Sequence, residues 1–236
     1  ETLTLDEKTT IKGAVLKGKN VVSITPVIVD PNFTYLELDV AFKFNPNLTD
    51  RTAIELKAVV SDTIDDFNLN NLNKFDGVFR HSSMTKVIDA SDPSILNSTV
   101  RPYVYQNITP TSITDTNNHS LTFAGPLFVP EGTTASVISS TAFKFDNGTA
   151  PATHDDHYFA DKPIEGSTDR QVYAYKIVDN LNVTTIDNAG TVDAAAGTIL
   201  INNYIPSDLT AIRITAAPDS LDIAPKRDQL LTIDSA

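Results

Sequence analysis

The sequence predicts an α+β fold that is predominantly β, with a strand–helix–helix–strand unit over 31–106 joined to an antiparallel β domain over 107–236. Three observations predict it: one long strand of strict alternation, a helix opened by a capping box, and the loss of helical periodicity beyond 107. The strand carries Leu36, Leu38, Val40, Phe42 and Phe44 on one face and Glu37, Asp39, Ala41 and Lys43 on the other. Asn45-Pro46-Asn47 ends it. Thr52 with Glu55 three residues on is a capping-box pattern, and Ala53, Leu56, Val60, Ile64 and Phe67 follow at helical spacing. The Asn-rich tract 68–74 reads as a connection, because Asn side chains compete for backbone hydrogen bonds. A second helix is expected from about Ser82 to Ala90, with Met84, Val87 and Ile88 as its apolar face and Pro93 as its stop. A strand through Val100, Tyr103, Val104 and Tyr105 closes the unit.

Residues 1–30 read as amino-terminal strands, either of this unit or of a preceding domain: Leu3 and Leu5 alternate with polar neighbours, and Val21, Val22 and Ile24 lead through Pro26 to Val27, Ile28 and Val29. From 107 onward, alternating runs carry Val137, Phe143 and Phe145; Tyr173, Tyr175 and Ile177; Ile199 and Ile201; and Ile212 and Ile214. Asn147-Gly148, Asn188-Ala189-Gly190 and Ala196-Gly197 read as turns between them, and 147–168 as a long loop.

Composition narrows the function classes. The 236 residues hold 18 Lys and Arg against 30 Asp and Glu, a net charge of −12. Such a chain is repelled by phosphate backbones and anionic membranes, so neither nucleic acid nor membrane is an expected partner. No apolar stretch approaches the roughly 20 residues that cross a bilayer. The absence of cysteine removes disulfides, thiolate zinc ligands and thiol nucleophiles together. The chain opens without Met in mid-pattern and stops just after Leu230, Leu231 and Ile233, which reads as a piece of a longer protein.

Each chemical motif has a plainer explanation. Gly13-Ala14-Val15-Leu16-Lys17-Gly18-Lys19-Asn20 approaches a phosphate-binding loop, but Asn20 stands where magnesium needs Ser or Thr, and strand-like residues follow where a helix is required; a hairpin turn is expected instead. His154-Asp155-Asp156-His157 offers four cation ligands in one loop, with Asp161 and His119 as further donors, yet neighbours in an extended loop diverge. Asp65 and Asp66 are consecutive on a helix and project about 100° apart, so they do not share a proton or a water. There is no Gly-x-Ser-x-Gly elbow, and no Trp to stack a sugar. Sequons at Asn32, Asn47, Asn97, Asn107, Asn118, Asn147 and Asn182 follow from an Asn- and Thr-rich composition. No catalytic residue, cofactor or metal site is assigned, and the chain reads as a non-enzyme.

The stretch from Ala53 to Val100 resembles the carboxy-terminal region of the J-type baseplate proteins of contractile-tailed phages. The residues that carry the likeness are Val60, Ile64 and Phe67; Leu72, Phe75 and Val78; Phe79, Ser82, Ser83, Met84, Val87 and Ile88; and Ile95-Leu96. The wording FNLNNLNKFDGVFRHSSMTKVIDASDP is closer still to the wedge proteins of T-even phages within that family. The 68–74 connection departs from the shorter apolar link of simpler phage homologues.

The resemblance implies a carboxy-terminal piece of a virion structural subunit, a baseplate wedge protein assembled in the host cytoplasm. Such a subunit pairs with itself, joins a ring of several pairs with other wedge components, and holds the baseplate together while its shape changes during sheath contraction. Ring closure takes either two alternating self-complementary contacts or one head-to-tail contact. Obligate interfaces favour apolar and aromatic anchors, so Phe75, Val78, Phe79, Tyr103 and Tyr105 are the candidate partner contacts; for Phe75, core packing is the stronger expectation. The competing classes are a receptor- or carbohydrate-binding β module of a phage tail or adhesin, and a metal-dependent enzyme on the His154 loop.

Overall fold

A computed structural model of the protein describes residues 3–16, 27–28, 30, 32–131, 135–146, 154–227 and 229–234. Residues 1–32 form one compact unit and residues 33–236 another.

Over residues 5–16 of the first unit the expected strand is replaced by helix. Helix α1 (Leu5–Ile11) starts at Thr4, whose hydroxyl accepts the Glu7 amide while the Glu7 carboxylate takes the Thr4 N–H at 2.8 Å. That reciprocal cap outweighs two alternating leucines, both of which are exposed. A π-turn (Lys12–Leu16) continues it, so Gly13 sits in helical backbone and not in the expected hairpin turn. The remaining residues of that motif, 17–20, and the expected strand residues Val21, Val22, Ile24 and Val29 lie outside the described residues.

From its first residue, Phe33, the second unit runs through the strand–helix–helix–strand motif: β1 (Asn32–Phe44, whose first residue closes the first unit), α2 (Ala53–Phe67), α3 (His81–Asp89) and β2 (Ile95–Ile108). Nine further strands follow: β3 (Asn117–Thr122), β4 (Ile138–Ser140), β5 (Phe143–Asp146), β6 (His154–Pro163), β7 (Arg170–Val178), β8 (Leu181–Asp193), β9 (Thr198–Tyr204), β10 (Ile212–Ala216) and β11 (Gln229–Ile233). They make a five-stranded sheet ordered β11-β1-β2-β10-β4 and a six-stranded sheet ordered β3-β9-β8-β7-β6-β5. The fold is α+β and predominantly β, with antiparallel sheets. The five-stranded sheet draws strands from both sides of residue 106, which itself lies within β2.

In the first sheet, Leu36 opposes Val104 and Val40 opposes Val100 on the face that takes the helices. Val60, Phe67, Leu72, Phe79, Met84 and Ile88 pack there in one core with Leu36, Val100 and Val104. The capping box at Thr52 and Glu55 forms as the sequence predicts, but Ala53 is exposed because it lies in the first turn, ahead of the buried stripe. The 68–74 tract is not a plain connection. Residues Asn68–Leu72 extend α2 as a π-turn, with the side-chain amides of Asn70 and Asn71 donating to the carbonyls of Asp66 and Phe67. Asn68 accepts the Ile233 N–H at 2.9 Å and donates to the Ile233 carbonyl at 3.2 Å, occupying an edge position of β11 as a strand partner would. Helix α3 begins one residue before the expected Ser82, because Asp222 accepts the His81 N–H at 2.9 Å from a distant loop.

The second sheet differs from expectation in two places. The polar stretch expected to be a loop contains β6, whose inward residues include His157, Phe159 and Asp161; with two of those three polar, apolar alternation is hidden. Asn188, Ala189 and Gly190 lie within β8, not in a turn. Gly190 has φ 141°, and a Cβ there would stand 1.9 Å from the Leu200 carbonyl oxygen, so close strand approach requires glycine. The turn at Ala196-Gly197 forms between β8 and β9 as expected.

A buried ion pair fixes β4 to the second sheet. The Asp161 carboxylate accepts the backbone N–H groups of Val137 at 2.7 Å and Ile138 at 2.8 Å and pairs with Arg170, which also donates to the Ala135 carbonyl at 2.6 Å. Breaking one side of a buried pair leaves the other charge without compensation. Asp161→Asn is therefore expected to lower the unfolding free energy by about 3–5 kcal/mol in urea titration. Asp161→Leu with Arg170→Met is expected to recover only part of this, because the two backbone donors still lose their acceptor.

Candidate interaction surface

The five candidate contact residues separate by depth. Phe79 is fully buried and forms a two-way bridge with Ile223, each N–H reaching the other carbonyl at 2.9 Å. Val78 is half-buried beside it. Phe75, four residues earlier, is 63% exposed, against the expectation that it packs in the core. The intervening turn accounts for the difference: Gly77 packs against the Leu72 backbone and Asp76 has φ 63°, which turns Phe75 outward.

Tyr103 and Tyr105 lie on the sheet face opposite the helices. Tyr105 is 5% exposed, stacked on Tyr35 with ring centroids 5.0 Å apart, and covered by the Arg213 guanidinium 3.6 Å from the ring centre. Its hydroxyl donates to Asp234; burial first, and then that carboxylate, raise the phenol well above its ordinary pKa. Arg213 also pairs with Glu37. Tyr105 therefore works as the centre of a closed stack, while Tyr103 is half-buried at the margin of a hollow.

Two hollows meet at Pro218. One, of about 250 Å³, is lined by Val104, Phe123, Leu127, Pro218 and Ile223, with Asp219 and Asp222 also on its wall. The other, of about 370 Å³, is lined by Tyr103, Val100, Arg101, Pro102 and Leu221. It lies along β2 beyond the end of β10, where backbone groups need other partners. The His81 ring donates through Nε2 to the Val100 carbonyl at 2.9 Å, and Pro102 has no N–H to satisfy. At the turn into β2, Asp92 accepts the Ser94 hydroxyl at 2.7 Å and amide at 2.9 Å and pairs with Arg51; these bonds, the hydroxyl's foremost, hold its carboxyl below the ordinary range.

The acidic and imidazole motifs do not assemble into a reactive centre. His154 and His157 open a strand, not a loop. The His157 ring is buried between Phe143 and Phe145, with Nδ1 3.0 Å from the Asp155 carbonyl. Asp155 pairs with Lys176 at 2.8 Å, a bond that lowers its pKa, and Asp156 pairs with Lys144 at 2.6 Å. His119 packs against Tyr204 across β3 and β9, and burial lowers its pKa. Among the described residues, no three His, Asp or Glu side chains gather as a cation site. Asp65 and Asp66 stand on the exposed face of α2.

The segment that carries Phe75, Phe79 and Tyr103, from the start of β1 through Tyr105, has a known counterpart. Residues 32–105 match the family of baseplate structural protein gp6, C-terminal domain III. This stretch is similar to a gp6-type baseplate domain. No curated protein matches the chain. The matched stretch ends inside β2, so the wall of both hollows contributed by 217–224 lies beyond it. Sequence reasoning missed that wall. Its signal, Ala-Ala-Pro-Asp-Ser-Leu-Asp-Ile-Ala-Pro, marks a loop by its prolines but not the segment it packs against.

The different depths of two phenylalanines in one turn give a direct test. Phe79→Ala is expected to cost about 3–5 kcal/mol of stability, and Phe75→Ser less than about 0.5 kcal/mol, measured by chemical denaturation at equal protein concentration.

Proposed function

We propose that the chain is a structural subunit of the tail baseplate of a contractile-tailed phage, a wedge component whose work is geometric. The observation that carries this reading is the match of residues 32–105 to the gp6 domain. In this reading the subunit pairs with a second copy and joins a ring with other wedge proteins, after assembly in the host cytoplasm. The ring persists while the baseplate changes shape during sheath contraction. The role is non-enzymatic. The ion pairs that engage Asp155, Asp156 and Asp161 of β6 support it.

Residues 32–105 act in this reading as the recognisable baseplate module, and the strands from 107 onward complete its sheet. Among the contact candidates, Phe75 and Tyr103 meet partners, while Val78, Phe79 and Tyr105 form the support behind them. Sedimentation equilibrium over a wide concentration range tests self-pairing. A discrete species of twice the chain mass is expected. A single-chain mass at every concentration would contradict self-pairing and leave contact with other baseplate proteins as the role.

A further inference from the structure

Five buried side-chain atoms among the described residues find no hydrogen-bond partner in the protein: His119 Nε2, His157 Nε2, Asn202 Oδ1, Tyr204 OH and Ser207 Oγ. All five belong to the second sheet or to the segment leaving β9. Ring contacts gather three of them about Phe143. The Tyr204 ring stands 5.8 Å from Phe143 and 6.1 Å from His119, and Phe143 stands 6.0 Å from His157. Ser207 joins the group, because its N–H reaches the carbonyl of Lys144, the residue after Phe143, at 2.8 Å. The unmet atoms therefore collect where β5 meets the segment leaving β9 and the sheet closes on itself.

Their chemistry is complementary. His157 donates its Nδ1–H to the Asp155 carbonyl at 3.0 Å, so in the neutral ring Nε2 presents a lone pair. Asn202 Oδ1 is a second acceptor, and the Tyr204 and Ser207 hydroxyls each bring one O–H to donate and lone pairs to accept. Buried polar groups in folded proteins almost always have a partner, because an unmet group forfeits the hydration it has in the unfolded chain. Donors and acceptors that share a buried region without reaching one another are joined by water, provided that two to four of them converge on each molecule. We propose that ordered water occupies the interior of the second sheet beside Phe143, bridging the Tyr204 hydroxyl to Ser207 and His157, so that the sheet closes partly through solvent. The site is independent of the stretch 32–105 and of any self-pairing.

Removing a hydroxyl separates a bridged atom from a bare one by the sign of the effect. A buried hydroxyl with no partner weighs against the folded state, so Tyr204→Phe would then raise the urea midpoint. A hydroxyl held by water loses its own bonds and weakens those of the groups across the water. Tyr204→Phe and Ser207→Ala are each expected to lower the midpoint by roughly 0.3–0.5 M. The double variant is expected to lose less than the sum, since the two hydroxyls share a bridge. Magnetic relaxation dispersion of water deuterons, which detects internal water held for longer than nanoseconds, is expected to show a smaller amplitude in Tyr204→Phe, by about one molecule. A midpoint that fails to fall in Tyr204→Phe, a double variant that loses the full sum, or an unchanged dispersion amplitude would overturn the inference.

Discussion

Every backbone N–H and C=O of a buried strand must find a partner, and β2 finds its partners at opposite ends of the chain. Over Ile95 to Tyr105 it pairs with β1, which precedes it, and over Val104 to Ile108 with β10, which follows it by more than a hundred residues. The module of β1, α2, α3 and β2 therefore supplies only two of the five strands of a sheet. Its helices cover one face, and its other long edge is completed by β10 and then β4. Where β10 ends, β2 resorts to His81 and Pro102, and the two hollows lie beside that stretch. The candidate interaction surface is thus a by-product of how one long strand satisfies its backbone.

The same economy of polar groups shapes the second sheet. Phe145 bridges Pro206, and Ser207 donates its N–H to the Lys144 carbonyl at 2.8 Å, so the β5 edge meets the segment leaving β9 and the sheet curls. Inside the curl, Phe143 stacks on Phe159 at 4.4 Å, with Tyr204 edge-on to both. Asp161 and Arg170 fasten β4 across the curl, while Ser140 accepts the Phe159 N–H at 2.8 Å. β4 is only three residues long, yet it belongs to the first sheet and is bonded to the second. A short strand held from both sides ties the two sheets into one core.

What was legible in the sequence was whatever local rules decide. Alternation in β1, the Thr52 capping box and the stop at Pro93 are complete within a few residues, and the strand–helix–helix–strand order followed from them. Tertiary partners decided the rest. Asn68 is a poor helix residue until it docks on Ile233, and α3 gains its first residue only because Asp222 arrives from a distant loop. β6 alternates, but one of its inward positions is a carboxylate neutralised by an arginine nine residues later, which no hydropathy pattern can show. In residues 1–32, a Thr–Glu cap that was present in the sequence outweighed the alternation that was given precedence. The contact candidates were found by residue type. Their depths were set by Gly77 and Ile223, so one turn holds both the most exposed phenylalanine and a fully buried one.

A segment that supplies two of a sheet's five strands is mechanically tied to the strands that complete it. A force applied anywhere on β2 passes into β10, so on the proposed baseplate reading the five-stranded sheet would respond as one body. Native-state hydrogen exchange tests this most directly. Amides of β2 that face β1 and amides that face β10 should exchange with the same opening free energy, equal to that of global unfolding. Protection in β10 that is lost well before protection in β1 and β2 would contradict it, showing that the gp6-type segment stands without the strands that complete its sheet.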